Sequence, residues 1–151
     1  MDLINVIRES QKYRNLERNE VSHDVKNLEL LKIKWETLIN KTDPNIKDKF
    51  GKTPLHYAVY NYDIFIVNEL MKHGANVNNQ DINGHTPLTD AIIDIDDQRD
   101  TNNYCIIMTL LENGANPHLK DNDGNTPFIK ALHSGNTDII NLFIKYGKIL
   151  N

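Results

Sequence analysis

Residues 51–58 read GKTPLHYA, and the same pattern returns as GHTPLTDA at 84–91 and as GNTPFIKA at 124–131. The threonines of the three copies lie 33 and 40 residues apart. Self-similarity with a period in the thirties is typical of proteins built from stacked repeats. The segment therefore predicts a repeat architecture.

A threonine followed by a proline predicts the start of a helix in each copy. The threonine hydroxyl can accept a hydrogen bond from the free amides of the first turn, and proline suits the first helical position because no N–H is needed there. Leu55 and Ala58, like their counterparts in the other copies, share one side of this helix. The small alanine lets a neighbouring unit approach closely, so this side is predicted to be a stacking face.

A second helix is predicted after the first one in each copy. Its apolar residues recur at helical spacing, as Ile106, Ile107, Leu110 and Leu111 do. The glycine that follows, such as Gly114, supplies the left-handed conformation that ends a helix. A single unit of this kind cannot bury its own apolar side, so its stability must come from its neighbours.

The repeated pattern resembles the ankyrin repeat, whose period is 33 and whose motif reads T-P-L-H-x-A. Residues 53–58 match every specified position of that motif, and the resemblance covers residues 48–147. It implies an all-α fold, an ankyrin-repeat solenoid of stacked helix–turn–helix units linked by β-hairpin-like loops. We expect one domain over residues 1–151, with the following parts: a helical N-terminal cap and degenerate repeat at 1–47, a repeat at 48–80, a repeat at 81–120 with an insertion near 94–103, and a C-terminal repeat at 121–151.

Some segments depart from the family pattern. The second repeat has 28 positions between Thr86 and Gly114, against 21 in its neighbours. The seven extra residues either lengthen the helices or form a loop, and we favour partial lengthening with Asp100 or Thr101 capping the outer helix. Tyr62 stands where a glycine usually joins the two helices. Trp35, on a predicted helix over 24–40, is expected to pack between the cap and the first regular repeat.

Composition and charge narrow the function classes. The net charge is −4, and residues 48–151 hold eight Lys and Arg against thirteen Asp and Glu, a poor match for a nucleic-acid backbone. The single cysteine, Cys105, excludes an intrachain disulfide and is expected to be a buried, inert thiol. The N-terminus lacks the features of a signal peptide, and no apolar run has transmembrane length. We expect an intracellular, soluble protein of cytoplasm or nucleus, with signal-less secretion into a host cell as an open alternative.

Candidate chemical sites are few. The aspartates in the insertion lack the glycine and terminal carboxylate of a calcium loop, so they are interpreted as a solvated acidic segment or a contact for a basic partner. The family resemblance implies a structural hydrogen-bond network for His56. The sequence holds no recognisable nucleophile–base pair, phosphate loop or metal-ligand pattern. We therefore expect no cofactor, no metal and no enzymatic activity.

The resemblance implies that partners bind at the hairpin tips and along the exposed side of the first helices. Phe50, Tyr60 and Ile82 are the predicted anchors, because large apolar side chains outside a core are typical of interfaces. As an alternative, Phe50 or Ile82 folds back onto a neighbouring hairpin. The full candidate set is Lys49, Phe50, Lys52, Tyr57, Tyr60, Asn61, Ile82, Asn83, His85, Asp90, Asn122, Asp123, Asn125, Lys130, His133 and Ser134. Asn78 matches the position that is hydroxylated in some ankyrin proteins.

The leading hypothesis is a non-enzymatic protein–protein interaction module that binds through the concave ankyrin surface. Alternatives are an ankyrin-type inhibitor of a transcription factor or host signalling protein, and an enzyme with an unrecognised site. The Asn, Ile, Lys and Asp usage resembles that of AT-rich genomes and suggests a host-interaction protein. We expect a monomer, with the apolar C-terminal repeat, including Ile144, as the place of any association.

Overall fold

The computed structural model describes residues 3–7, 37–93 and 101–147. Six helices follow one another in these ranges: α1 Pro54–Tyr60, α2 Ile64–Lys72, α3 Pro87–Ile93, α4 Thr101–Glu112, α5 Pro127–Ser134 and α6 Thr137–Gly147. Residues 3–7 and 37–39 are also helical. The described part of the chain contains no β-strand, and the predicted all-α fold is confirmed. Trp35 lies outside the described residues.

The helices form two layers. The inner layer consists of α1, α3 and α5, each packed against the next, and the outer layer consists of α2, α4 and α6 in the same order. Every inner helix also packs against the outer helix that follows it in the chain. The structure is thus a row of three helix–turn–helix units, as the repeat spacing predicts.

The core runs between the units. Leu55 and Leu88 occupy equivalent places and are fully buried, while the equivalent Phe128 is partly buried and stacks on Phe143 at a ring-centroid distance of 6.1 Å. The alanines of the three copies are buried as well. The outer helices contribute these buried side chains: Ile66, Val67, Leu70, Ile106, Ile107, Leu110, Leu111, Ile139, Leu142 and Phe143. Each unit therefore buries its apolar residues against its neighbours.

Thr-Pro begins each inner helix, as the sequence predicts. The hydroxyl of Thr126 accepts a hydrogen bond from the amide of Ile129 at 3.2 Å. The hydroxyl of Thr86 accepts the corresponding bond from Thr89 at 3.2 Å. These bonds satisfy one of the free amides at each helix start.

His56 joins the first repeat to the second. Its Nε2 lies 3.1 Å from the carbonyl oxygen of His85, and because a carbonyl can only accept, this nitrogen carries the proton. Nδ1 is then the acceptor for the Thr53 amide at 3.1 Å and the Thr53 hydroxyl at 2.8 Å. Burial lowers the pKa of His56 below its ordinary 6.5, although the nearby Asp90 charge acts in the opposite direction. The structural network expected for His56 is confirmed.

Asparagine side chains also join successive repeats, and we call their hydrogen bonds the asparagine seam. The side chain of Asn78 donates to the carbonyl of Gly114 at 3.1 Å and accepts from the amide of Asn116 at 2.8 Å. Asn45 makes the same two bonds one repeat earlier, to Gly74 at 3.1 Å and to Asn76 at 2.7 Å. Both atoms of each amide group are therefore used to hold the next repeat.

The hairpin tips touch closely and need glycine. Gly84 has φ +79°, and a Cβ there would lie 2.8 Å from the backbone nitrogen of Asn122. Gly51 has φ +71° and the same close approach to the nitrogen of Ile82, at 2.9 Å. Side chains at these positions would be strained by the backbone conformation and would push the tips apart.

The departures from the family pattern have distinct outcomes. α4 has 12 residues, against nine in α2 and 11 in α6, and the described part of α3 has seven residues, as α1 does. The insertion residues 94–100, including the proposed cap Asp100, lie outside the described residues.

Tyr62 adopts φ 55°, in the left-handed region where Gly135 stands in the third repeat. That conformation costs a residue with a Cβ about 1–2 kcal/mol.

The expectation of a buried Cys105 is wrong, because this side chain is exposed. The buried side of α4 is formed by Ile106, Ile107 and Leu110, whose helical spacing leaves no place for the residue before them. Tyr104 lies on the same exposed side.

We predict that Leu110→Ala lowers the free energy of unfolding by about 2–5 kcal/mol, the usual range for truncating a buried leucine. Leu110 is fully buried between the second repeat and its neighbours. Leu132→Ala is the matched control, because Leu132 is exposed, and it should change stability by less than about 0.5 kcal/mol. Urea unfolding measures both, and equal effects would contradict the assigned core.

We predict that acidification destabilises the protein through His56. Because burial lowers its folded-state pKa, the unfolded chain binds a proton first, so its contribution is fully present above pH 6.5 and is lost as the pH falls below that value. His56→Thr, which copies the Thr86–Thr89 arrangement of the second repeat, should remove this part of the pH dependence. His133→Thr, at an exposed position, should leave it unchanged. Urea unfolding on both sides of pH 6.5 measures this dependence. If the free energy of unfolding of His56→Thr depended on pH as that of the unmodified protein does, His56 would not be its source.

Candidate functional site

The candidate site is the surface formed by the three loops at 48–52, 81–85 and 121–125 and by the exposed sides of α1, α3 and α5. We call it the inner face. The loops are hairpin-like, because the first residue of each donates its amide to the carbonyl of the fifth at 2.8–3.0 Å. Successive tips are joined by backbone bonds from Ile82 to Phe50 at 3.1 Å and from Asn122 to Asn83 at 3.0 Å. The inner face is thus continuous across the three repeats.

An aspartate organises each loop. Asp48, Asp81 and Asp121 each accept two bonds at Oδ1, from the amides two and four residues further on, at distances of 2.8–3.1 Å. This arrangement fixes the turn before the helix begins and leaves Oδ2 available for another partner. The hydroxyl of Tyr57 donates to Oδ2 of Asp48 at 2.6 Å.

Lys52 of the first repeat forms ion pairs with two aspartates of the second repeat. Its Nζ lies 2.6 Å from Oδ2 of Asp90 and 3.7 Å from Oδ2 of Asp81. Asp90 is buried on α3, so this ion pair is shielded from water more than an ordinary surface pair.

His85 and Lys130 continue the row of polar side chains towards the third repeat. The imidazole of His85 lies between two carboxylates, with Nδ1 at 3.8 Å from Asp90 Oδ1 and Nε2 at 3.7 Å from Asp121 Oδ2. Lys130 Nζ lies 2.9 Å from the same Asp121 oxygen. Burial raises the pKa of Asp121, but Lys130 and the backbone amides of the loop outweigh it and hold that pKa below its ordinary 3.8.

The charged candidates therefore pair mainly with one another. Lys52, His85, Asp90 and Lys130 are held in one row that crosses all three repeats, together with the loop aspartates. A partner that relied on these charges would have to break existing ion pairs. The inner face consequently offers mostly apolar and neutral polar contacts.

Three large side chains project from the inner face. Phe50 is 44% exposed, Tyr60 54% and Ile82 59%. The ammonium of Lys49 lies 4.9 Å from the centre of the Phe50 ring, a cation–π distance. The alternative in which Phe50 or Ile82 folds back into the neighbouring hairpin is not what the structure has.

The remaining candidates differ in accessibility. Asn83, Asn122, Asp123, His133 and Ser134 are exposed, and Asn125 is half-buried. Asn61 is buried, and its amide donates to the carbonyl of Ile7 at 2.7 Å, so it faces the N-terminal residues rather than a partner. The side chain of Asn78 is hydrogen-bonded to Gly114 and Asn116 of the second repeat.

Sequence reasoning missed part of this site. The ion pair of Asp81 with Lys52 joins two repeats and depends on their stacking, whereas Asp121 pairs with Lys130 of its own repeat. The recurrence of an aspartate three positions before each tip glycine was the available signal. Within the described ranges, no cluster of three His, Cys, Asp or Glu side chains could hold a metal ion. None of the helices described is long and apolar enough to cross a membrane.

Two sequence models of one family match this chain. Both describe ankyrin repeats, one as three copies over residues 26–98 and the other as many copies over residues 95–144. A solved ankyrin repeat domain from Acinetobacter baumannii AYE superposes with a TM-score of 0.69 at 32% sequence identity, over 75% of this chain and 57% of that chain.

Two curated proteins are similar over shorter stretches. The potassium channel AKT2/3 of Arabidopsis thaliana is 45% identical over 58 residues, which is 38% of this chain and 7% of the channel. The protein FPV230 of Fowlpox virus (strain NVSL), named as an ankyrin repeat protein, is 33% identical over 76 residues, 50% of this chain and 39% of its own length. The chain thus spans less than two thirds of each of these relatives.

We predict that Lys130→Met raises the pKa of Asp121, because it removes the cation that opposes the effect of burial. The stability that Asp121 contributes is present above its unfolded value of 3.8 and is lost as the pH falls through its folded pKa, so in the variant the loss begins at higher pH. Carboxyl ¹³C NMR titration measures the shift. Lys120→Met removes the same charge from an exposed neighbouring position and should leave the pKa of Asp121 nearly unchanged; equal shifts in both variants would contradict the pairing.

Proposed function

The chain belongs to the ankyrin repeat family, and from this premise we propose that its inner face binds another protein without catalysing a reaction. Ankyrin repeats generally mediate protein–protein interaction, and ankyrin repeat proteins are typically non-enzymatic. The observation that carries the proposal is the exposure of Phe50, Tyr60 and Ile82 beside a row of ion pairs that compensate one another.

The chemistry of the partner follows from the contrast between the exposed apolar side chains and the paired charges. Aromatic and branched side chains that are exposed in the free protein gain the most from burial against a partner. The internal ion pairs hold the loops and inner helices in place, so little ordering is required on binding. The partner is therefore a protein that presents apolar pockets or side chains, with polar groups that reach the asparagines at the tips.

The inhibitor of a transcription factor is the second candidate, and the acidic balance of residues 48–151 supports it. A basic, DNA-binding partner would be held largely by charge, so its affinity would fall steeply with salt. The compensated ion pairs favour the apolar mode instead. Likeness to a Fowlpox virus protein makes host proteins the first partners to search.

We predict that Phe50→Ala, Tyr60→Ala and Ile82→Ala each weaken partner binding by more than about 1 kcal/mol, as removal of interface anchors does. The partner is first isolated with the intact chain, and affinities are then measured by calorimetry for each variant at low and high salt. Phe65→Ala is the matched control, because Phe65 is similarly exposed but lies on the outer helix α2.

Unchanged affinity in all three variants would place the interface elsewhere. Loss of affinity in Phe65→Ala alone would assign binding to the outer helices. An affinity that vanishes at high salt while the alanine variants bind normally would favour the charge-driven inhibitor.

A further inference from the structure

The outer helix of the second repeat begins earlier than the other two outer helices. Asp63, Asn103 and Asn136 stand at equivalent positions, each eleven residues before the glycine that closes its repeat. α2 and α6 begin at the residue directly after this position, whereas α4 begins at Thr101, two residues before it. Asn103 therefore lies inside a helix, at a place where the other two repeats have the residue in front of one.

In the first and third repeats the residue at this position caps the outer helix. Oδ1 of Asp63 accepts a hydrogen bond from the amide of Ile66 at 3.1 Å. Oδ1 of Asn136 accepts the corresponding bond from the amide of Ile139 at 3.2 Å. Each of these side chains satisfies an amide of the first turn that has no partner within the helix.

Asn103 has the side chain of a cap but no amide to bind. It is only 4% exposed, and among the residues that the structure describes no donor forms a hydrogen bond with its Oδ1. The amide of Ile106, which stands where a cap at Asn103 would find its donor, lies within α4 and faces the carbonyl four residues earlier. A buried acceptor without a donor is unfavourable, so the early start of α4 has a cost at Asn103.

The residues that α4 adds at its start are weak helix formers. They are Thr101, Asn102 and Asn103, and threonine and asparagine both rank low in helix propensity. Asparagine in particular favours caps over helix interiors. Adding a residue to an existing helix changes the free energy little, because the new hydrogen bond is offset by the ordering of that residue. Loss of these residues from the helix would therefore cost little, and Asn103 would gain the bond that Asp63 and Asn136 already have.

The core contacts of α4 come after Asn103 in the chain. Ile106, Ile107 and Leu110 are fully buried, and α4 packs against α2, α3 and α6. These residues belong to the helix whether it begins before or after Asn103, so the stack of repeats does not depend on the start. What changes is the connection between α3 and α4, which gains residues 101–103 when the helix begins after them.

We propose that α4 has two alternative starts and that Asn103 is the N-cap of the shorter helix. In the longer form the helix begins at Thr101, and Oδ1 of Asn103 is unpaired. In the shorter form it begins at Tyr104, and Oδ1 of Asn103 accepts a hydrogen bond from the amide of Ile106.

The exchange between the two forms changes the length of the connection between the inner and outer helices of the second repeat. It leaves the buried side of α4 and the inner face in place. The two alternative starts do not depend on the function proposed for the inner face.

Cα ¹³C chemical shifts of residues 101 and 102, measured on the full chain, report the ratio of the longer form to the shorter one. Asn103→Ala removes both the cap of the shorter form and the unpaired acceptor of the longer form, so this ratio should rise about 5-fold, the effect of a typical cap. Asn103→Asp should lower the ratio at least about 5-fold, because a carboxylate is favourable at a helix start and unfavourable when it is buried without a partner.

Asn103→Ser is a second test that brings no charge, and it should change the shifts in the same direction as Asn103→Asp, since serine is a good cap. Asn113→Ala is the matched control, because Asn113 is an exposed asparagine directly after the other end of α4, and it should leave both shifts unchanged. Circular dichroism and urea unfolding show whether each variant is folded. Shifts that no substitution of Asn103 alters, or that move the same way in Asn103→Ala and Asn103→Ser, would overturn the proposal.

Discussion

Burial of each repeat against the next is the contact on which the rest of this structure depends. One helix–turn–helix unit has an apolar side that it cannot cover by itself, and the fully buried Leu55, Leu88 and Leu110 lie in a core shared between units. Stability is therefore a sum of interfaces between neighbours rather than the property of one central core. Any residue that sets the spacing of the repeats, such as Gly84 at a hairpin tip, acts on the whole stack.

The polar groups of the loops turn this stack into a defined surface. Each loop aspartate uses one oxygen to fix its own turn; the other faces a lysine of the preceding repeat in the second loop and a lysine of its own repeat in the third. Because Lys52 pairs with two aspartates of the second repeat and Lys130 pairs with Asp121, these charges are compensated before any partner arrives. Recognition then falls to the side chains that the network leaves exposed, Phe50, Tyr60 and Ile82.

The helices were predictable because their signals are local. Thr-Pro starts, apolar spacing and glycine stops depend on residues a few positions apart. Thr-Pro begins the three inner helices, and glycines stand at or just after the ends of the three outer ones. The exposure of Cys105 was also a local signal, because this residue lies on the side of α4 opposite to the buried Ile106, Ile107 and Leu110. Burial of polar residues was harder to predict. Asn61, which follows the last residue of α1, and Asp90 on α3 are both buried, and they contact Ile7 and Lys52 respectively. Their partners are 54 and 38 residues away in the chain.

By itself the sequence determined the family, the repeat length, the helix starts and the face on which partners are expected. Each of these is written in short patterns that recur, so each copy supports the others. Only the tertiary structure decided that Lys52 pairs with Asp90 of the next repeat, that Asn61 faces the N-terminal residues, and that Phe50, Tyr60 and Ile82 are exposed. These features depend on which repeat lies next to which surface, and that is set by contacts between residues far apart in the chain.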